Sequence, residues 1–446
     1  MGSPGGHRGR RGVRPRPGRD DVAGDGRAGG RRRGGRARRA AAAITVADLR
    51  TAARKRLPRM VFDFVDGGAE DELTVTENEA AFDRVALRPR VLVDVAQRPQ
   101  AVTVLGRRLE MPVILGPTGL MRMVGHEGEL ASAAAAQAFG TVSVTSSGSS
   151  VSIEDVAASV DSPQWFQLYP WGDRGTVGNI IARARDLGFE VMVVTVDVPV
   201  VGAREKDLRN GLTVPPQVNP RTGWDLVRHP GWLAGLLSHP RPTFANFTGL
   251  MTEAKGTTGL AVHTNGLLNP AHTWRDLEWM IEAWGGPVVL KGVMTGEDAK
   301  RAVDVGCRAV AVSNHGGRQA DSVPAALDVL PEIVDAVPAD IDVLLDGGIR
   351  RGGDVVKAIA LGARACLVGR PWVYGLAAGG TAGVERMLAI LHDEIDRTLA
   401  LIGRPGVGAL DRSAVSPWPR AAAAVRDPFA GDVPAPSPNR EHRERR

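Results

Sequence analysis

Cysteine is almost missing from this chain of 446 residues, which holds only Cys307 and Cys366. Two cysteines cannot build a disulfide framework, and no metal-ligand spacing surrounds them, so neither a disulfide scaffold nor a cysteine-ligated metal is expected. A reducing cytoplasm is the expected setting. No run approaches the ~20 apolar residues needed to span a bilayer. The basic start of the chain leads into no apolar segment longer than Ala40–Ala43, too short for the core of a signal peptide. A Gly-x-Gly-x-x-Gly turn after an early strand is also missing, which argues against a doubly wound dinucleotide fold.

The net charge of +6 misleads. Residues 1–43 hold 13 arginines, 3 aspartates and no lysine, so this stretch carries +10 and the rest of the chain −4. A Gly/Arg/Pro segment with almost no large apolar side chain cannot offset its ordering entropy, so residues 1–43 are expected to be a disordered tail. Basic tails tether nucleic acids or anionic membranes. Without interleaved aromatics this one offers no specific readout, and no nucleic-acid partner is expected. Nucleic-acid binding through the tail is kept as the alternative from another functional class. Residues 416–446, again rich in Pro, Ala and charge, read as a second flexible tail, leaving residues 44–415 as the folded body.

Within that body, short apolar runs alternate with Ala-rich helical stretches. Eight candidate strands are Pro112–Gly116, Thr141–Thr145, Trp165–Tyr169, Val191–Thr195, Pro287–Lys291, Ala309–Ser313, Asp342–Asp346 and Ala365–Gly369. Runs apolar on both faces suit parallel strands buried between helices. Helical segments such as Glu127–Phe139, Val177–Leu187, Gly296–Val305 and Gly353–Leu361 lie between them. Eight such units predict a TIM (β/α)8 barrel. The connection after strand four, from about Pro199 to Gly286, is too long for a plain link and reads as an insertion.

Polar residues collect at the strand ends, the mouth where barrel enzymes assemble their sites. In chain order they are Pro117-Thr118-Gly119, Ser146, Gln167 with Tyr169, Thr195 with Asp197, Lys291, Ser313 to Arg318, Asp346-Gly347-Gly348 with Arg350, and Gly369-Arg370. The two glycine turns after strands seven and eight, each followed by an arginine, suit a phosphate better than plain tight turns with solvated arginines. His315 beyond a buried strand can act as a base near neutral pH, and Arg318 can grip a carboxylate. Asp197 could hold the imidazole.

These residues resemble the FMN-dependent L-2-hydroxy acid oxidase and dehydrogenase family, which includes glycolate oxidase, L-lactate dehydrogenase and mandelate dehydrogenase. The resemblance spans about residues 46–412. It rests on Leu57 to Asp63, Gly67 to Glu72, Trp165 to Tyr169, Thr195 to Asp197, Leu290 to Gly292, Ser313 to Gln319 and Asp346 to Gly352. It implies bound FMN and oxidation of an L-2-hydroxy acid to the 2-keto acid. His315 would be the base, paired with Asp197. Arg318 and Arg204 would hold the carboxylate, Tyr169 the hydroxyl, and Lys291 the N1–O2 edge of the flavin. Ser146, Gln167, Thr195 and Ser313 would line the ring or ribityl chain. Gly347, Arg350, Gly369 and Arg370 would cradle the phosphate. A homotetramer is also implied.

Three positions divide the family. Phe64 stands where a tyrosine commonly helps hold the carboxylate, and its missing hydroxyl removes a hydrogen bond of about 1–3 kcal/mol. Gly148 stands where glycolate oxidase has tryptophan, implying room for a larger substrate such as mandelate. Gly119 stands where oxidases carry alanine, implying a dehydrogenase that passes electrons to a quinone or protein acceptor. An oxidase making hydrogen peroxide is the alternative. The insertion carries Trp224, Leu226, Val227, Trp232, Leu233, Leu236 and Leu237, interrupted by Pro230. An active-site lid or an oligomer face is weighed against peripheral membrane contact.

Overall fold

The computed structural model describes residues 40–212, 220–240, 242–248 and 268–418. The other residues of the two expected tails lie outside this range. Helices α1 (Val46–Arg56), α2 (Arg59–Asp66) and α3 (Leu73–Asp83) precede the barrel. Thr45 and Asp48 close a reciprocal capping box at the start of α1. Strand β1 (Val85–Leu87) is followed by a hairpin of β2 (Val102–Val104) and β3 (Arg107–Leu109).

Eight parallel strands follow: β4 (Val113–Leu115), β5 (Val144–Ser146), β6 (Trp165–Leu168), β7 (Val191–Thr195), β8 (Val288–Val293), β9 (Ala309–Val312), β10 (Asp342–Asp346) and β11 (Ala365–Val368). They pair in the order β4-β11-β10-β9-β8-β7-β6-β5. A parallel bridge between Leu115 and Ser143 joins the ends, so the sheet closes. The eight expected strands are all present. The second starts later than expected, at Val144, because Thr141 N is turned back onto Ala136 O of the preceding helix and Ser143 makes only an isolated bridge to Leu115.

Around the strands run α4 (Glu129–Ala138), α5 (Ile153–Ser159), α6 (Arg174–Asp186), α7 (Glu205–Asn210), α8 (Pro220–Arg228), α9 (Pro230–Ser238), α10 (Trp274–Trp284), α11 (Gly296–Asp304), α12 (Ala326–Ala336), α13 (Gly352–Ala360), α14 (Arg370–Gly379) and α15 (Thr381–Leu401). The main core lies between strands and helices. A second core fills the barrel, where Trp165, Ile114, Val193 and Leu344 meet Val104 and Leu109 of the β2–β3 hairpin. That hairpin plugs one end of the barrel and leaves the strand C-termini as the open mouth.

Both expected tail boundaries need correction. Ala40 and Ala43 are buried in the main core, and Arg386 Nε donates to Ala43 O at 2.9 Å. At the other end, β12 (Val415–Pro417) pairs antiparallel with β1, and Trp418 N donates to Arg84 O at 2.7 Å. Small apolar residues beside a basic run look like tail in composition, yet they fill long-range contacts. Pro230 does break the insertion into α8 and α9, as expected. Among the described residues, no helix is long and apolar enough to cross a membrane.

Candidate active site

The exits of the eight strands converge on one cleft. A chain of buried side chains links the strands that lead into it. Ser146 Oγ donates to Gln167 Oε1 (2.6 Å), and Gln167 Nε2 donates to Thr195 Oγ1 (3.0 Å), crossing β5, β6 and β7. Lys291 Nζ lies 2.8 Å from both Asp346 Oδ2 and Ser313 Oγ, and Ser313 donates to Asp346 at 2.7 Å. Burial alone would lower the Lys291 pKa. The charges of Asp346 and Asp197 outweigh it and hold Lys291 above its ordinary value. Burial likewise opposes ionisation of Asp346, but Lys291 and Ser313 bring its pKa below normal. The pair is therefore a fixed cation and its anion at the centre of the mouth.

Beside it, Tyr169 Oη is 3.3 Å from His315 Nε2, and His315 Nδ1 is 2.9 Å from Asp197 Oδ1. The carboxylate accepts a hydrogen bond from Nδ1–H, which leaves Nε2 as the acceptor facing the tyrosine hydroxyl. Burial pushes the Tyr169 pKa up to about 12, so it remains a neutral donor. His315 has φ 58°, a left-handed backbone unusual for a residue with a side chain. The following Gly316 and Gly317 share that conformation. His315 N is anchored on Ser313 Oγ at 3.0 Å, and Asn314 exchanges two amide hydrogen bonds with Asn78 of α3. The loop is thus locked in a strained shape that aims the imidazole into the cleft.

Three guanidinium groups crowd one side. Arg318 Nη1 donates only to the carbonyls of Phe64 (2.7 Å) and Gly67 (3.0 Å). Burial and the neighbouring Arg204 and Arg370 push its pKa down to about 9. Arg370 donates to the carbonyls of Gly316 and Gly67, both at 2.8 Å. Arg204 reaches Asp207 only at 3.5 Å, and burial raises the pKa of that aspartate. The Phe64 ring lies beneath both Arg318 (5.3 Å) and Arg204 (5.9 Å). Three clustered guanidinium groups served mainly by carbonyl oxygens form a site for anionic ligands.

A second anion cradle adjoins the first. Gly347 and Gly348 turn with φ 112° and 75°, and a Cβ on Gly348 would stand 1.9 Å from Asn78 O, so only glycine allows this approach. Gly369 caps the N-terminus of α14, whose free N–H groups favour an anion. Thr118 Oγ1 and Arg370 Nε are buried here without a protein partner. These unmet donors, the open glycine turns and the surplus positive charge fit a flavin mononucleotide. Gly347, Gly348, Gly369 and Arg370 would hold its phosphate, with Pro117, Thr118 and Gly119 beside the ring. Arg350 also lines the cleft, but its guanidinium is paired with Glu79 at 2.7 Å.

Sequence reasoning missed three features. Glu129, buried in α4, accepts from Met121 N (3.1 Å) and Ser150 N (2.9 Å), tying the loop after β4 to the loop after β5. Trp171 and Phe244 both line the cleft. The volume expected at Gly148 is not vacant, because a Cβ there would meet the Trp171 ring at 3.2 Å. Gly119 packs more closely still, and its Cβ would stand 2.6 Å from Gly148 O.

A (β/α)8 barrel with a tyrosine–histidine–aspartate chain, a buried lysine, an arginine cluster and a phosphate cradle at its mouth defines a flavin-type oxidoreductase acting on an anionic substrate. Residues 53–417 match the family model described as FMN-dependent dehydrogenase, and the chain belongs to that family. The L-lactate oxidase of Nostoc sp. is 44% identical over 375 residues, covering 83% of this chain and 97% of that protein. The crystal structure of the monotopic membrane protein (S)-mandelate dehydrogenase superposes with a TM-score of 0.80 at 38% identity, covering 84% and 100% of the two chains. A mandelate oxidase structure with (S)-4-hydroxymandelic acid gives 0.74 at 40% identity, covering 84% and 98%. The protein is an FMN-dependent enzyme that oxidises a 2-hydroxy acid.

Proposed function

We propose that the substrate is an L-2-hydroxy acid and that its electrons pass to a quinone or protein acceptor. The observation that carries the site assignment is the Tyr169–His315–Asp197 chain beside the Arg204–Arg318 cluster in one cleft. Arg318 and Arg204 hold the carboxylate, and Tyr169 binds the hydroxyl. His315 takes a substrate proton at Nε2, and Asp197 stabilises the imidazolium. Bound FMN supplies the two-electron acceptor for this oxidation. Lys291, charged at neutral pH, is the cation available to offset negative charge gathering at the mouth.

The choice of acceptor rests on Gly119. The loops after β4 and β5 touch backbone to backbone there, with Leu120 N donating to Gly148 O at 3.2 Å. The named relatives include both oxidases and dehydrogenases, so they support either acceptor. For a quinone carried in a membrane, the insertion offers a contact. Trp224, Val227 and Leu237 are exposed next to Arg228, while Leu226 and Trp232 turn inward. Such a face suits peripheral attachment, and a homo-oligomer could cover it instead. Free, buried Cys307 and Cys366 suit a reducing cytoplasm.

The test is anaerobic titration of the purified enzyme with L- and D-2-hydroxy acids, followed by admission of air. Bleaching by L-isomers, slow recovery in air and fast turnover with a quinone or dye are expected. Reoxidation by air faster than reduction by the best substrate overturns the dehydrogenase reading in favour of oxidase. His315→Gln should keep FMN and lose about 10²–10⁴-fold in reduction rate. Reduction at the parent rate would remove His315 from the role of base.

A further inference from the structure

Once a 2-hydroxy acid places its carboxylate on the arginines and its hydroxyl on Tyr169, one substituent at C2 is left to be recognised. Two residues beyond Tyr169, the buried Trp171 lies parallel to the tyrosine ring, with centroids 4.8 Å apart and planes 6° apart. Phe244 meets Trp171 edge-on at 5.4 Å and 82°, and Phe247 stands against it at 5.2 Å. Tyr169, Trp171 and Phe244 all face the cleft. Gly148 is the landing that admits the indole, because a Cβ there would already press on the ring. The wall of the cleft beyond the reacting hydroxyl is therefore made of aromatic rings. Aromatic side chains meet such rings in offset or edge-on contacts that short aliphatic groups cannot make.

Phe244 belongs to the long insertion, and a specific anchor fixes it in the wall. Asn246 is buried, and its Nδ2 donates to Ser147 O (3.1 Å) and Ser149 Oγ (2.9 Å). Its Oδ1 accepts from Ile153 N at 2.9 Å, and Ala245 N donates to Ser149 O at 3.0 Å. Arg183 Nη1 closes the set on Asn246 O at 2.9 Å. Ser147 and Ser149 lie in the loop after β5 that carries Gly148, and Ile153 opens the helix that follows it. An amide whose polar atoms are all matched at a buried site is a strong local clamp.

We infer that Trp171 and Phe244 set the specificity for the C2 substituent, selecting a flat aryl group over a short aliphatic one. Asn246 is the positioning residue that makes this part of the insertion a wall of the substrate site. The inference rests on the 2-hydroxy acid reading above, but its test has an arm that needs no turnover. Trp171→Leu and Phe244→Leu remove one ring each and keep apolar volume. Two quantities are measured on the FMN-loaded enzyme: the ratio of anaerobic flavin reduction by mandelate to that by L-lactate, and the binding of phenylacetate against acetate, read from the flavin absorbance. The parent should favour mandelate and bind phenylacetate more tightly. Each variant should lose about 3–10-fold of both preferences, the range of one aromatic contact.

Asn246→Ala should lose the phenylacetate preference in the same direction, and Asn246→Asp, which sets a carboxylate oxygen against Ser147 O, should lose it too. If both ring variants keep both ratios within twofold of the parent, the wall does not set specificity. A parent that favours lactate and acetate overturns the inference outright. If no 2-hydroxy acid reduces the flavin, the functional reading fails, and the phenylacetate arm still decides the role of the wall.

Discussion

Replacing Asp197 by asparagine tests the proton-handling chain directly. Asp197 Oδ1 is 2.9 Å from His315 Nδ1, and the two side chains are 12% and 20% exposed. When His315 receives a proton, an imidazolium forms beside a carboxylate with charge centres about 4 Å apart. At the effective dielectric of a partly buried pair, that attraction is worth about 4 kcal/mol. An amide keeps the shape and loses the charge. It can also donate to Nδ1, which would leave the proton on Nε2, the atom that has to accept one. Losing 4 kcal/mol from the transition state slows reduction about a thousandfold. The assay is anaerobic stopped-flow reduction of the flavin at saturating substrate, with FMN content measured alongside. Arg204 and Arg318 are untouched, so binding of an inert carboxylate should hold. Reduction within tenfold of the parent, with FMN bound, would refute the assignment of Asp197 as the partner that stabilises the charged base.

Gly119→Ala would place a methyl 2.6 Å from Gly148 O, so the two loops must part. Overpacking of this kind costs about 1–3 kcal/mol, so Tm should fall while stopped-flow reoxidation by oxygen quickens; no change in either removes the role given to this contact. For the buried Lys291–Asp346 pair, Lys291 has a raised pKa, so its contribution is lost only as pH rises through the folded value. Asp346 has a depressed one, so its contribution is lost only as pH falls through the folded value. The Tm difference between parent and Asp346→Asn should therefore be flat from about pH 5 to 10 and shrink in stronger acid; a slope inside that window contradicts the pairing. Removing residues 1–39 should leave flavin content and turnover intact, whereas removing 1–43 also strips buried Ala40 and Ala43 and should lower Tm. Equal melting of the two truncations would show that those alanines contribute nothing.

What could be read in advance, and what could not, follows from the range of the contacts involved. Parallel strands buried on both faces leave local apolar runs, so β6, β7 and β10 were visible to within a residue at each end. In a barrel, the residues at the C-terminal end of each strand must arrive at the same mouth. Lys291, His315, Asp346 and Gly369 could therefore be grouped across almost 80 positions without knowing a single contact. Trp171 had a faint local signal, standing two residues beyond Tyr169, but Pro170 between them hid the shared face. Glu129 looked like an ordinary acid opening an alanine-rich helix. Only the fold brings Met121 N and Ser150 N onto its carboxylate. Phe244 had no signal at all, because Asn246, which fixes it, bonds to groups 93 to 100 positions earlier in the chain. Residues that do chemistry are placed by the strand that precedes them, and that strand is written locally. Residues that shape the substrate's side chain are placed by how an insertion folds back on a distant loop. Members of one barrel family can therefore share a base, a lysine and a phosphate cradle while differing in the acid they accept.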